Sequence, residues 1–228
     1  MIDRLATRAL DLVIAGAVTV VLSPALAAIA LAIRLESRGP VILRQTRVGL
    51  DGCDFELLKF RTMVPDAHLL GTGWLIAEQD PRITRVGRFL RRWSLDELPQ
   101  VVNVLRGDMS IVGPRPTLRY QVDQYTPFQL RRLEVRPGIT GWAQVLGRNQ
   151  LTWPQRIELD VWYVDNRSVW LDLRLLARTV PMLARPSGVY NDARSDWGEG
   201  SDRAGGNAGD ARAIGHVGDH HRAGSHEG

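Results

Sequence analysis

Residues 12–33 read LVIAGAVTVVLSPALAAIALAI, a run without a charged side chain, bounded by Asp11 and Arg34. As one straight helix it is roughly 33 Å long, enough to cross the hydrocarbon core of a bilayer. Asp3 and Asp11 dilute the basic start, and the run is longer than the apolar core of a secretory signal, so it is read as a retained membrane segment. Ser23-Pro24 stands at its middle. Pro24 has no amide hydrogen for the Val20 carbonyl and its ring crowds that carbonyl, which predicts a kink or break. The Ser23 hydroxyl is the local group able to satisfy a freed backbone atom in lipid. Arg4 and Arg8 precede the run and Arg34, Arg38, Arg44 and Arg47 follow it. The positive-inside tendency therefore draws both ends toward the cytoplasm. A helix that breaks at Pro24 and returns satisfies both constraints; a kinked spanning helix is the alternative.

Outward from this segment, Val41–Val48 and Phe55–Met63 read as two strands around the turn pair Asp51-Gly52. Alternation puts Lys59 and Arg61 on one face of the second strand, either lining a phosphate site or facing solvent. Val86, Phe89, Leu90 and Trp93 keep helical spacing among Arg85, Arg88, Arg91 and Arg92. That basic amphipathic helix suits a membrane interface or an ordinary packed surface. Helices are further predicted over 98–105, 120–134, 153–163 and 171–183, the last reaching Pro181, with a turn-rich connector at 137–142. The fold class is α+β: a helix-rich body with a small β-hairpin, preceded by the Pro-broken, re-entrant helix.

The formal charge of +4 is unevenly distributed. From Asn191 onward four arginines face seven acids, a net of −3, so residues 1–190 carry +7. A basic body suits a phosphorylated substrate, an anionic membrane or nucleic acid, and the apolar N-terminus favours the membrane. Residues 191–228, rich in Gly, Asp, Arg and His, are read as disordered, and their four histidines lack the spacing of a metal site. Cys53 is the single cysteine, which excludes an intrachain disulfide and permits a reducing compartment. Lys59 is the single lysine among 29 basic residues.

The chemistry concentrates in Ser94-Leu95-Asp96-Glu97-Leu98-Pro99-Gln100 and in Gly113-Pro114-Arg115-Pro116. Adjacent carboxylates can hold a metal or supply a nucleophile, and a guanidinium held between two prolines is preorganised for phosphate oxygens. Ser94-x-x-Glu97 is also a capping-box pattern, which would account for Ser94 and Glu97 and leave Asp96 free. A rigid surface turn would account for Arg115. No phosphate-binding glycine loop with lysine, no dinucleotide fingerprint, no H-E-x-x-H and no Cys/His cluster is present, which removes the main support for ATPase, dinucleotide-dependent and zinc-hydrolase activities.

Taken together, Ser23-Pro24, Lys59-Phe60-Arg61-Thr62-Met63, the 94–100 run, Gly113-Pro114-Arg115-Pro116 and the stretch Pro137-Gly138-Ile139-Thr140-Gly141-Trp142-Ala143-Gln144-Val145 resemble the bacterial sugar transferases, the monotopic polyprenyl-phosphate phosphoglycosyl transferases of the short class. The likeness runs from about residue 3 to 190. It implies Mg2+-dependent transfer of a sugar phosphate from a UDP-sugar to polyprenyl phosphate, at the cytoplasmic face of a bacterial inner membrane, in glycoconjugate or exopolysaccharide assembly. It also implies membrane lipid as a partner, no nucleic acid, and downstream glycosyltransferases. Carried onto this chain, the resemblance makes Asp96 the nucleophile and Glu97 its partner at the metal. Arg91, Arg115 and Pro116 fall near the phosphates, with Lys59 and Arg61 as further phosphate ligands. Leu146 stands where members often have Asn. The implied division is 1–38 for the membrane helix and its flanks, 39–190 for the catalytic domain and 191–228 for the tail. Two rival activities are transfer at the anomeric carbon with release of UDP, and non-enzymatic binding to anionic membranes.

Overall fold

The computed structural model describes residues 2–65, 67, 80–147 and 151–184; the tail read as disordered lies outside them. Helix α1 (Ile2–Glu36) is helical through Pro24. The Ser23 hydroxyl donates to the Val20 carbonyl at 2.8 Å, the acceptor that Pro24 leaves without a backbone donor. Residues Leu5–Glu36 are long and apolar enough to cross a membrane. At the middle of the helix Val20 and Val21 are 74% and 72% exposed.

Both ends of α1, by contrast, are fastened to the body. Near its start, Arg8 donates to the carbonyls of Val104 and Leu105 at 2.7 and 3.1 Å, in the last turn of α3 (Gln100–Arg106). These are carbonyls that a helix end leaves open. Asp11 accepts from the Ser110 hydroxyl and the Ile111 amide at 2.9 and 2.8 Å, and Ala15 enters the core. At the other end, Glu36 accepts from the amides of Arg85 and Val86 at 2.7 and 2.9 Å. These amides open α2 (Arg85–Arg92), so a carboxylate sits where the helix dipole favours it.

The predicted hairpin forms. Strands β1 (Ile42–Val48) and β2 (Asp54–Phe60) pair antiparallel, with Asp51 and Gly52 at positive φ in the connection. On the outer edge of β2 the buried Asn103 side chain acts as a third strand. Its oxygen accepts from the Leu58 amide at 3.0 Å and its nitrogen donates to the Glu56 carbonyl at 2.7 Å, which fixes α3 against β2. Leu57, Val101, Val104, Met109, Ile111 and Leu175 close the main core over this junction.

The connector predicted at 137–142 contains a strand. Strand β3 (Ser110–Val112) pairs parallel with β4 (Gly138–Thr140). Glycine is required where they approach: a Cβ on Gly138 would stand 2.1 Å from the Gly113 amide nitrogen. The helix predicted over 120–134 is instead split into α4 (Arg119–Val122), α5 (Pro127–Leu130) and a 3-10 turn at Arg131–Glu134. Pro127 has no amide to continue the first helix, and Thr126 starts the second by accepting from the Gln129 amide. Helices α6 (Trp142–Leu146), α7 (Trp153–Asn166) and α8 (Val169–Ala184, with Pro181 inside) complete the body.

Candidate active site

The site begins at the end of α2. Gly87 lets that helix lie directly on the segment leaving β2, since a Cβ there would stand 2.0 Å from the Thr62 carbonyl oxygen. One turn further on, Arg91 Nε donates to Thr62 Oγ1 at 2.8 Å. The chain then reverses through Ser94, which takes a left-handed conformation with φ 54° and makes no side-chain cap. The capping-box reading of Ser94 is therefore corrected: a residue at the chain reversal cannot cap as predicted, and Glu97 turns to cations instead. Asp96 and Glu97 occupy the single 3-10 turn that follows, Leu95–Glu97.

The two carboxylates have opposite surroundings. Glu97 Oε1 is 3.1 Å from Lys59 Nζ and 2.6 Å from Arg115 Nη2, and Oε2 is 3.3 Å from Arg115 Nη1. Burial alone would raise the Glu97 carboxyl, but the Arg115 charge and the Lys59 ammonium outweigh it and hold it well below the usual range. Among the described residues Asp96 has neither a hydrogen bond nor an ion pair. Burial, and then the charge of Glu97, push its carboxyl up to about 6 against the opposing pull of Lys59, Arg91 and Arg115. The site thus pairs a locked carboxylate with an unengaged one.

The Pro-Arg-Pro turn is held at three backbone carbonyls. Pro114 O accepts from the Gly138 amide at 2.9 Å, Arg115 O from Arg132 Nη2 at 3.0 Å, and Thr117 O from the Val48 amide at 3.0 Å. Pro116 lies inside this pinned stretch. Arg115 therefore projects from fixed backbone while its side chain remains 48% exposed on the open side.

Lys59, Arg91, Asp96, Glu97 and Arg115 gather here as the sequence predicts, whereas Arg61 does not face Lys59's partner. Arg61 lies beyond the end of β2, and its Nη2 donates to the carbonyl and hydroxyl of Ser37 at 2.8 and 2.9 Å. That contact ties the exit of α1 to the hairpin. By register the cation of β1 sharing the Lys59 face is Arg47, because directly paired residues lie on one side of the sheet and Arg47 pairs with Phe55, four residues before Lys59.

Two further residues support the turn without a local sequence signal of their own role. Arg132 is buried, bonds Tyr125 Oη at 2.7 Å and forms an ion pair with the equally buried Asp160. Burial pushes the Asp160 carboxyl up to about 6 against the Arg132 charge. Asp160 interrupts the apolar face of α7 between Ile157 and Val161, the one pattern from which a buried partner could have been read. A separate cavity of about 100 Å³, lined by Thr7, Asp11, Tyr163 and Asp172 among others, contains none of the Asp96 cluster.

No group of three or more His, Cys, Asp or Glu side chains gathers among the described residues. The unengaged Asp96 carboxylate and Glu97 Oε2, whose one contact is long, are hard oxygen donors. That set fits a magnesium ion, which keeps several waters and takes one or two carboxylates together with substrate phosphates.

Residues 2–186 match the family described as bacterial sugar transferases. Among curated proteins, the chain is 48% identical over 157 residues to an uncharacterised sugar transferase, EpsL, of Bacillus subtilis, covering 69% of this chain and 76% of that one. It is 46% identical over 194 residues to a UDP-glucose:undecaprenyl-phosphate glucose-1-phosphate transferase of Caulobacter vibrioides, covering 80% and 71%. A protein of the same description from Escherichia coli is 46% identical over 188 residues, covering 78% of this chain and 40% of its own length.

Proposed function

The chain belongs to the bacterial sugar transferase family, and from that premise we propose that it transfers a sugar phosphate from a UDP-sugar to polyprenyl phosphate through a covalent aspartyl intermediate on Asp96. The observation that carries this reading is the unengaged Asp96 carboxylate beside a Glu97 whose Oε1 is held by Lys59 and Arg115. An attacking oxygen needs a free lone pair, and among the described residues no hydrogen bond or ion pair occupies those of Asp96. In the first step an Asp96 oxygen bonds to the sugar-linked phosphorus, the bridging P–O bond breaks, and the electron pair leaves with UMP. The phosphate of the lipid then attacks the same phosphorus and restores the carboxylate.

Arg91 and Lys59 flank Asp96, and Arg115 can give up part of its hold on Glu97 to take a phosphate oxygen from its exposed side. Asp96 and Glu97 would hold Mg2+ together with the diphosphate, and the ion would neutralise charge on the oxygens, where most catalysis of phosphoryl transfer arises.

The attachment of both ends of α1 to one body supports the re-entrant course: Arg8 and Asp11 hold α3 and β3, while Glu36 holds α2. A helix anchored to the same cytoplasmic body at both ends brings its middle, around Ser23-Pro24, to the lipid. On that course the site would lie where a lipid phosphate meets water.

The test uses the purified full chain with Mg2+ and a panel of UDP-sugars, without lipid acceptor. Labelled UMP is expected to exchange into the UDP-sugar, and label in the sugar-linked phosphate is expected on the protein. Asp96→Asn should abolish both. Transfer at the anomeric carbon would release UDP and exchange no UMP, a membrane-binding module would give neither signal, and exchange that requires lipid would remove the covalent step.

A further inference from the structure

Two arginines that the sequence reading did not assign to the site end in buried nitrogens with no acceptor. Arg47, on β1, uses Nη2 to hold Gln45 Oε1 at 3.2 Å and leaves Nε unpaired. Arg156, on α7, uses Nε to hold the Leu151 carbonyl at 3.1 Å and leaves Nη2 unpaired. A buried donor left without an acceptor costs about 1–3 kcal/mol, more when the group is charged. Each cost calls for an acceptor that the described residues do not supply.

The fold brings both residues to Arg115 by separate routes. Arg47 precedes Val48, whose amide holds the carbonyl of Thr117, two residues past Arg115. Arg156 lies one helical turn before Asp160 and shares its face of α7; Asp160 pairs with Arg132, which holds the Arg115 carbonyl. After burial, the nearby Arg115 charge is the main influence depressing the basicity of both arginines. The charges acting on Asp96 include Arg115, Lys59 and Arg91 but neither Arg47 nor Arg156. Both unpaired guanidinium groups are thus tied to the backbone of the Arg115 turn, from elements other than the 3-10 turn that carries Asp96.

A diphosphate carries two charged groups, and with one phosphorus at Asp96 the other phosphate can reach the Arg115 turn. Resting on the proposed reaction, we propose that the unpaired Arg47 Nε and Arg156 Nη2 form, at the Arg115 turn, a subsite for the leaving phosphate of the nucleotide. When the bridging P–O bond breaks, its electron pair remains on that phosphate, which loses its anhydride bond, becomes a monoester and gains negative charge. No proton transfer is required at neutral pH, because the second ionisation of a phosphate monoester lies near 6. Guanidinium groups without other acceptors meet the charge as it forms.

Binding of labelled UMP to the full chain in nanodiscs, in an Asp96→Asn background where no turnover occurs, reads the subsite directly. Arg47→Gln and Arg156→Gln should each weaken UMP about ten- to hundredfold, as loss of a charged hydrogen bond predicts. The affinity for uridine, which has no phosphate, should stay unchanged. With Asp96 restored, KM for polyprenyl phosphate should hold while inhibition by UMP weakens. If Arg156→Gln fails to fold, Arg156→Lys should show the same selective loss for UMP over uridine in smaller degree. Unchanged UMP affinity with a raised KM for the lipid would overturn the assignment and give the subsite to the lipid phosphate. Equal loss of UMP and uridine would reduce both arginines to structural supports. A protein with Arg47 and Arg156 intact that binds no UMP would instead overturn the proposed reaction itself.

Discussion

Asp96 and Glu97 are neighbours in sequence and opposites in energy, and the difference is measurable. The Asp96 carboxyl is pushed up to about 6, chiefly by burial. A carboxylate raised in the folded state adds stability below its unfolded pKa, and that contribution is lost as pH rises through the folded value, so ionised Asp96 weakens the fold at neutral pH. Asp96→Asn, which cannot ionise, should melt a few degrees above the parent at pH 7.5 with Mg2+ chelated, and the gain should vanish at pH 4; thermal melts at both pH values check this. Arg132→Ala leaves Asp160 buried without its cation and should cost about 3–5 kcal/mol in denaturant unfolding. Arg132→Lys keeps the charge but loses the two-armed reach to Asp160 and the Arg115 carbonyl. It should fold and lower the UMP exchange rate about tenfold. Asp96, Glu97 and Arg115 could be read from sequence because they stand in short motifs, and Lys59 because it is the single lysine. Arg132 could not, because one arginine of a pair in a basic protein shows its burial only after α7 has packed beside it.

At the level of elements, the apolar run of α1 and the Asp51-Gly52 hairpin were legible because each carries a long or local pattern. Strands β3 and β4 were not: each has three residues, and their parallel partners are distant in sequence, so neither periodicity nor turn chemistry marks them. The seat of α2 on Thr62 was hidden for a similar reason, because a single glycine does not announce what approaches it. Gly87→Ala should force that contact apart, detach Arg91 from Thr62, and lower both melting temperature and exchange rate, while Gly52→Ala, which meets open space at positive φ, should lower stability alone. For α1 the expected outcome concerns topology. In a Cys53→Ser background, a cysteine introduced near the N-terminus should be labelled only from the side that labels native Cys53. Pro24→Ala should move a fraction of molecules to the opposite pattern, because the restored amide bond to Val20 favours a straight helix. Labelling of the unaltered helix from the opposite side would exclude the re-entrant course.

At the scale of the whole molecule, charge and attachment act together. The match to the family ends at residue 186, and residues 191–228 carry a net −3 against +7 for the rest. Deleting 191–228 should leave UMP exchange within about twofold and strengthen binding to anionic vesicles, with the increase suppressed by salt. The attachment made by Glu36 reaches further than holding two helices together. Its carboxylate grips the first amides of α2, and α2 delivers the chain within a few residues to Asp96. On the proposed reaction, the elevation of Asp96 above the lipid is thus set through the apolar helix, as a float sets the level of a valve. A leaflet that let that helix ride higher would then carry Asp96 up with it, and bilayer thickness would become a variable in the proposed encounter with a lipid-borne phosphate.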